Sequence, residues 1–369
     1  MRVLVVNAGS SSLKLSVLGA HNGVGADRLA ASEELPAQYG EFGHDAVAAA
    51  LDRVGASSAD AVGHRVVHGG RQFTQPVRID ADVRRALDEL TDLAPLHQPK
   101  SLAGIDAVSE ALPGLPAVAC FDTAFHAGMP AAAATYALPA EWRERWAIRR
   151  YGFHGLSHAY ATHRVTELLG HVPARLIVCH LGSGASLAAV RDGRSVDTTM
   201  GFTPLEGLVM GTRSGTVDPG LVLWLIEHAK IAPDELAEVL ERRSGLAGLA
   251  GTPDMREVLA RASTGDPGAE LALAAYLHRL RGLIGSMAAA LGGLDTLVFT
   301  GGVGENSAEI RAQAAAGLAF LGVALDEQRN AGAHGDTDIT APGAVVRGFV
   351  VAAREDIEIA RQVREVLRG

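Results

Sequence analysis

The chain opens on two apolar stretches, Val3–Val6 and Leu13–Leu18, set around the polar segment Asn7-Ala8-Gly9-Ser10-Ser11-Ser12. β-type runs around a glycine-containing turn predict a hairpin rather than a strand running into a helix. The pattern returns at 176–190, where two apolar runs flank Gly182-Ser183-Gly184, and Asp192-Gly193 then predicts a tight turn into a third strand. Gly9 and Gly182 stand 173 residues apart in a chain of 369, so the repeat predicts a duplicated α/β domain. Short apolar runs at Ala117–Phe121 and Thr296–Thr300 add a strand to each half. Helical spacing is clearest at 81–93, 157–169, 219–229, 233–242, 269–291, 307–318 and 354–367. The mixed-charge stretch 138–151, which contains Pro139, is the expected crossing. That gives an N-terminal domain 1–147 and a C-terminal domain 148–354, with a final helix 355–369 packing back on the first.

Composition narrows the classes. Hydrophobic residues are 48% and charged residues 20%, enough apolar material for two packed cores. The balance of 33 basic to 42 acidic residues gives −9, which argues against nucleic acid as a partner. The only cysteines, Cys120 and Cys179, lie in apolar runs, which excludes a disulfide scaffold and argues against structural zinc. Val3–Val6 is too short for a signal-peptide core, and Gly292, Gly293 and Asp295 interrupt the longest apolar stretch. A soluble cytoplasmic protein without a membrane partner is expected.

Chemistry enters at the glycine turns. Asn7–Ser12 with Lys14, and His180-Leu181-Gly182-Ser183-Gly184, each offer backbone N–H groups and hydroxyls to an anion. Either alone is equally an ordinary hairpin turn; their repetition favours a pair of phosphate loops. A third loop, Phe299-Thr300-Gly301-Gly302-Val303-Gly304-Glu305-Asn306-Ser307, follows a strand and opens a helix. It is neither a Walker A loop nor a dinucleotide fingerprint. Arg65 lies shortly before Gly69-Gly70, and Arg213 lies in Gly211-Thr212-Arg213-Ser214-Gly215. Most surface arginines only solvate a face, but an arginine on a glycine loop can present its planar fork to carboxylate or phosphate. Of 14 histidines, His154 stands out because Gly152 and Gly155 flank it. His154 and His158 lack the intervening Glu of a zinc-protease helix, so metal ligation is not expected. Leu181-Gly182-Ser183-Gly184 superficially resembles a hydrolase elbow, but its hairpin context is wrong and hydrolysis stays a minor alternative.

Taken together, these stretches resemble the acetate kinase family, within the actin, sugar-kinase and heat-shock ATPase superfamily, over residues 3 to about 360. The resemblance rests on eight motifs in order: N-A-G-S-S-S-L-K at 7–14, G-H-R-V-V-H-G-G at 63–70, L-A-P-L-H at 93–97, F-D-T-A-F-H at 121–126, Y-G-F-H-G-L-S-H at 151–158, M-G-F-T-P-L-E-G-L at 200–208, M-G-T-R-S-G at 210–215 and F-T-G-G-V-G-E-N-S at 299–307. It implies an α/β fold of two ribonuclease-H-like domains with a central cleft. It also implies ATP/ADP with Mg²⁺ or Mn²⁺, reversible γ-phosphoryl transfer to acetate giving acetyl phosphate, and a homodimer. Position by position it assigns Asp122, His154, Arg65 and Arg213 to catalysis. Val67, Leu96, Phe153 and Pro204, with Arg65, would bind acetate. Lys14, His180 to Gly184, Asp254, Met255, Arg256 and Gly302 to Asn306 would bind the nucleotide, and Asn7 and Glu355 the metal. The chain departs from the family pattern at Ser183, where Asn is usual, at Ala352-Ala353-Arg354, where Pro-Thr-Asn is usual, and at Arg71, where Glu is common. A propionate or butyrate kinase of the same family is the first alternative. A non-catalytic actin-like ATP-binding protein is the second.

Overall fold

The computed structural model describes residues 1–8, 12–19, 28–36, 44–94 and 98–368. Gly9-Ser10-Ser11 and Leu96-His97 lie outside the described residues. Strands β1 (Val3–Ala8), β2 (Ser12–Gly19), β3 (Arg28–Pro36), β4 (Ala61–Val66), β5 (Val77–Arg78) and β6 (Ala117–Phe121) form one sheet in the order β3-β2-β1-β4-β6-β5. Strands β7 (Arg175–Leu181), β8 (Ala185–Arg191), β9 (Arg194–Thr198), β10 (Thr296–Thr300), β11 (Thr337–Asp338) and β12 (Arg347–Val350) form a second, in the order β11-β12-β10-β7-β8-β9.

The two sheets repeat one plan. A three-stranded antiparallel meander, β1-β2-β3 or β7-β8-β9, is followed by two strands parallel to its first. The duplication expected from the 173-residue repeat is therefore real at the level of hydrogen-bonded topology. The topology also makes β4 the counterpart of β10, and β6 the counterpart of β12, so the apolar runs 117–121 and 296–300 are not equivalent strands. Asp192 and Gly193 both take positive φ, 49° and 79°, which is the twist a two-residue hairpin needs.

The chain forms two compact units. One comprises Met1–Ala127, His154–Tyr160 and Arg354–Gly369; the other comprises Gly128–Phe153 and Ala161–Ala353. Residues 128–147 thus group with the second sheet, and 154–160 with the first. In the first unit, Val3 and Val5 of β1 pack with Ala61, Val118, Cys120 and, from the C-terminal helix Glu355–Arg368, Ile359, Ala360 and Val363. Leu4 and Val6 face the opposite layer, with Leu13, Leu15, Val47 and Val108. Burial on both faces is what parallel strands require. Gly63 on β4 lets the terminal helix come close, since a Cβ there would lie 2.5 Å from Ile359 and 2.7 Å from Val363. In the second unit the long helix Pro267–Leu291 starts at Asp266, whose carboxylate accepts from Gly268 and Ala269 N–H, and stops at Gly292 with φ 72°. It packs against β8. Both cysteines are buried, and desolvation pushes their thiols up, so neither is a nucleophile. Helix Pro219–Glu227 is unusual: Leu221 to Ile226 are six consecutive apolar residues and none is buried.

Candidate active site

In the first unit the chemistry gathers where parallel strands end, the position at which open α/β sheets place ligands. Asn7 lies near the end of β1, Arg65 near the end of β4, and Asp122 just after β6, its N–H extending the ladder to the Val66 carbonyl at 3.0 Å. The Arg65 fork donates from Nη2 to Asp122 Oδ2 at 2.6 Å and from Nε to both carboxylate oxygens at 3.1 and 3.2 Å. Its Nη1 donates to Asn7 Oδ1 at 3.0 Å, and Glu355, the first residue of the terminal helix, stands 3.8 Å from Nε. Burial alone would lower the guanidinium's pKa; the charges of Asp122 and Glu355 outweigh it and raise it. Asp122 is only 1% exposed, so its carboxylate depends on this pairing. Asn7 Oδ1 and the two carboxylates make a set of hard oxygen donors suited to Mg²⁺ or Mn²⁺ rather than zinc. Among the described residues no three His, Cys, Asp or Glu side chains form a closed metal cage. Mg²⁺ needs none, because it is usually held by one or two carboxylates and substrate phosphates.

His154 reaches this cluster by way of its backbone. It takes φ 56°, a left-handed conformation rare outside glycine, immediately before the helix Gly155–Leu169. The Gly155 N–H donates to the Asp122 carbonyl at 2.8 Å, and a Cβ on Gly155 would lie 2.2 Å from that oxygen. The glycine is needed for His154 to sit beside Asp122. Val67, just after β4, is buried.

The second unit holds a cavity of about 690 Å³, a size suited to a nucleotide-like ligand. Gly182 and Ser183, Gly302, Val303 and Asn306, and Asp254, Met255 and Arg256 all line it, so three stretches far apart in sequence converge there. Two of them leave adjacent parallel strands, with Thr300 in register with His180. The loop 301–307 is largely a short helix, Gly301–Asn306, rather than an open loop. Gly301 starts it at φ 78°, where a Cβ would meet the Leu181 carbonyl at 2.8 Å. Arg311 is 1% exposed and holds this helix from behind. It donates to the carbonyls of Gly304 at 2.9 Å and Glu305 at 2.7 Å, and to Asn330 Oδ1 and O at 2.7 Å each. Asp254 caps the helix Met255–Ala262 and pairs with the exposed Arg256 at 2.5 Å; those bonds hold its carboxyl below the ordinary range.

Some expected nucleotide residues do not line the cavity. Leu181 is a buried strand residue, Gly304 is buried inside the short helix, and Glu305 accepts from the Ala353 N–H at 3.0 Å. His180 and Gly184 flank the turn without lining the cavity. Lys14 belongs to the first sheet, in register with Asn7, and its ammonium lies 3.5 Å from Glu34. Conversely, Leu246, Pro253, Leu259 and Tyr276 line the cavity and carried no motif. Leu259 falls between the stretches of clearest helical spacing, close to the Asp254–Arg256 positions that the family resemblance assigns.

Arg213 differs from Arg65. It is half-buried, and its Nη1 donates to the Pro204 carbonyl at 3.3 Å and the Met210 sulfur at 3.7 Å. Burial pushes its pKa down, against the more distant charge of Glu241. It makes no ion pair among the described residues, so it is a desolvated cation that an arriving anion would satisfy. Phe153 is fully buried and Pro204 half-buried in the same unit.

Known proteins share these features. A sequence profile of the acetokinase family matches residues 44–361. An acetate kinase from Gloeobacter violaceus is 51% identical over 316 residues, covering 85% of this chain and 78% of that protein. The acetate kinase of Porphyromonas gingivalis superposes with a TM-score of 0.89 at 37% identity, over 99% of both chains. A propionate kinase from Francisella tularensis also gives 0.89 at 37% identity, over 98% of both. The motifs, the doubled sheet plan and these matches agree: the chain is a member of the acetokinase family.

Proposed function

We propose that the protein is an ATP:acetate phosphotransferase, transferring the γ-phosphoryl group of ATP directly and reversibly to acetate to give acetyl phosphate and ADP. Acetate is already ionised at neutral pH, so no strong base is needed. The obstacle is bringing one anion onto another, and cations at the positions of developing charge answer it. The observation that carries this reading is Arg213, a half-buried guanidinium that makes no ion pair among the described residues, in the unit that holds the nucleotide-sized cavity. Arg65, braced by Asp122, receives the carboxylate and the moving phosphoryl; Asp122 orients Arg65 rather than removing a proton. His154 stabilises charge in the transition state. Phe153 and Pro204 of the second unit are proposed to contact the acetate methyl, and the resemblance assigns Val67 of the first unit to the acid as well. Asn7 and Glu355 would hold Mg²⁺ or Mn²⁺, which when bound neutralises phosphate charge.

The test is hydroxamate trapping of acyl phosphate with ATP and Mg²⁺, run with acetate, propionate and butyrate. Highest kcat/KM on acetate is expected. Preference for a longer acid would make the protein a propionate or butyrate kinase, and no acyl phosphate with any acid would overturn the reading. The protein is proposed to work in the cytoplasm as a homodimer. The uncovered apolar helix Pro219–Glu227 is the surface that a second copy would bury. Sedimentation showing a monomer at micromolar concentration would refute that assembly. No helix among the described residues is long and apolar enough to cross a membrane.

A further inference from the structure

Two stretches proposed to contact the acyl group, Tyr151-Gly152-Phe153 and Met200-Gly201-Phe202-Thr203-Pro204, are joined by a polar cluster that the reaction itself does not use. The Tyr151 and Gly152 N–H groups both donate to the Gly201 carbonyl, at 3.0 and 3.2 Å. Arg150 sends Nη1 to the carbonyls of Thr199 and Met200, at 3.2 and 3.1 Å, and Nη2 to Glu206 Oε1 at 2.7 Å. Glu206 Oε2 accepts from the Tyr136 hydroxyl, which itself accepts from the Phe202 N–H at 3.0 Å. The Arg150 guanidinium lies over the Tyr136 ring, 5.5 Å from its centroid. Gly201 fills the remaining space, since a Cβ there would meet the Tyr136 hydroxyl at 2.1 Å and Glu206 Oε2 at 1.7 Å. Burial and the Glu206 carboxylate both push the Tyr136 phenol up, so it stays a donor. From Gly201 the chain runs three residues to Pro204, whose carbonyl receives Arg213.

We propose that Arg150, Glu206 and Tyr136 are positioning residues that set the acyl-pocket wall, fixing Pro204 and Arg213 relative to Phe153 and thereby setting the preference for a short carboxylate. Glu206 is the hub: it holds Tyr136 with one oxygen and Arg150 with the other, and those two hold the backbone at 199–202. Among the described residues none of the cluster's hydrogen bonds reaches a residue that lines the nucleotide-sized cavity. Loosening it therefore acts on the acid, not on ATP. The proposal rests on the carboxylate-kinase reading.

Tyr136→Phe deletes one hydroxyl and leaves the ring in place. The expected result is a KM for acetate raised about tenfold, a KM for ATP within about twofold of wild type, and a propionate-to-acetate ratio of kcat/KM shifted toward propionate. Glu206→Gln gives the same split and serves as the readout if Tyr136→Phe does not fold. Arg150→Lys, which keeps the positive charge and one donor nitrogen, recovers more acetate affinity than Arg150→Ala. Unchanged acetate KM and acid preference in folded Tyr136→Phe or Glu206→Gln, or equal changes in both KM values with a lowered melting temperature, would overturn the proposal. Acyl phosphate formed by wild type alongside that result would leave the kinase reading intact. No acyl phosphate from wild type would refute both.

Discussion

Replacing Arg213 by methionine separates what the arginine does for the fold from what it does for the reaction. Methionine keeps an unbranched stem and removes the charge. The fold loses one hydrogen bond to the Pro204 carbonyl at 3.3 Å and a contact to the Met210 sulfur at 3.7 Å. A bond of that kind contributes about 0.5–1.5 kcal/mol. Against this, the fold no longer carries a half-buried cation without an ion-pair partner, whose burial opposes its charged form. The two effects have opposite signs and similar size, so stability should change by less than about 1 kcal/mol. In its proposed role the reaction loses a cation at the transferring group, which in phosphoryl transfer is worth about 10³–10⁵ in rate, or about 4–7 kcal/mol. Arg65→Met is the contrast, because it removes the guanidinium paired with the buried Asp122 carboxylate and should cost about 3–5 kcal/mol of stability as well as the rate. Hydroxamate initial rates and urea unfolding of both variants give the two axes. Arg213→Met that keeps kcat/KM within about tenfold of wild type, or unfolds as readily as Arg65→Met, would refute the reasoning.

Gly155→Ala should lower kcat by more than about tenfold and lower the melting temperature, because its Cβ would sit 2.2 Å from the Asp122 carbonyl and the backbone carrying His154 must move. An alanine variant with normal kcat would show that the contact relaxes elsewhere. Burial holds the His64 ring neutral, its pKa lowered from 6.5 to about 3, with Asp106 pulling weakly the other way. The unfolded chain binds that proton first, so the stability this residue confers is full above pH 6.5 and falls as pH drops toward 3. At pH 5 the loss is roughly 2 kcal/mol. His64→Gln should flatten that part of the urea-midpoint profile against pH, and an unchanged slope would exclude His64 as the cause. Ser183 lines the nucleotide cavity, so Ser183→Asn, which adds an amide donor there, should lower the KM for ATP without changing that for acetate. Steady-state kinetics with each substrate varied in turn decides it.

The strands and most helices were legible because local chemistry marks them. The helix at 233–242 has the bounds its periodicity gives. The helix predicted over 81–93 ends at Asp88 and continues only as a short 3₁₀ turn at 91–93, a distinction that spacing does not encode. Much of the backbone of the nucleotide-sized cavity was legible as glycine turns. Tyr276 and Leu246 were not, because an apolar residue facing a cavity has the same periodicity as one facing the core. Leu181 shows the opposite case: it belongs to a glycine-turn motif but is the buried last residue of β7, whereas Ser183 lies in the turn beyond the strand and lines the cavity. The brace on Arg65 was hidden for a different reason. Asn7, Asp122 and Glu355 meet only because β1, β4 and β6 lie side by side and the last helix returns to them, and no local pattern records adjacency between strands 50 or more residues apart.

Arg311 grips the short helix by its main-chain oxygens, not by any side chain of that helix. The loop's shape is therefore independent of the side chain at the cavity-facing position 303, while Asn306 adds its own tie by donating to the Gly302 carbonyl at 2.8 Å. A substitution at 303 leaves that grip intact, whereas a change at 311 would remove the hydrogen bonds to the Gly304 and Glu305 carbonyls that hold this cavity wall in place.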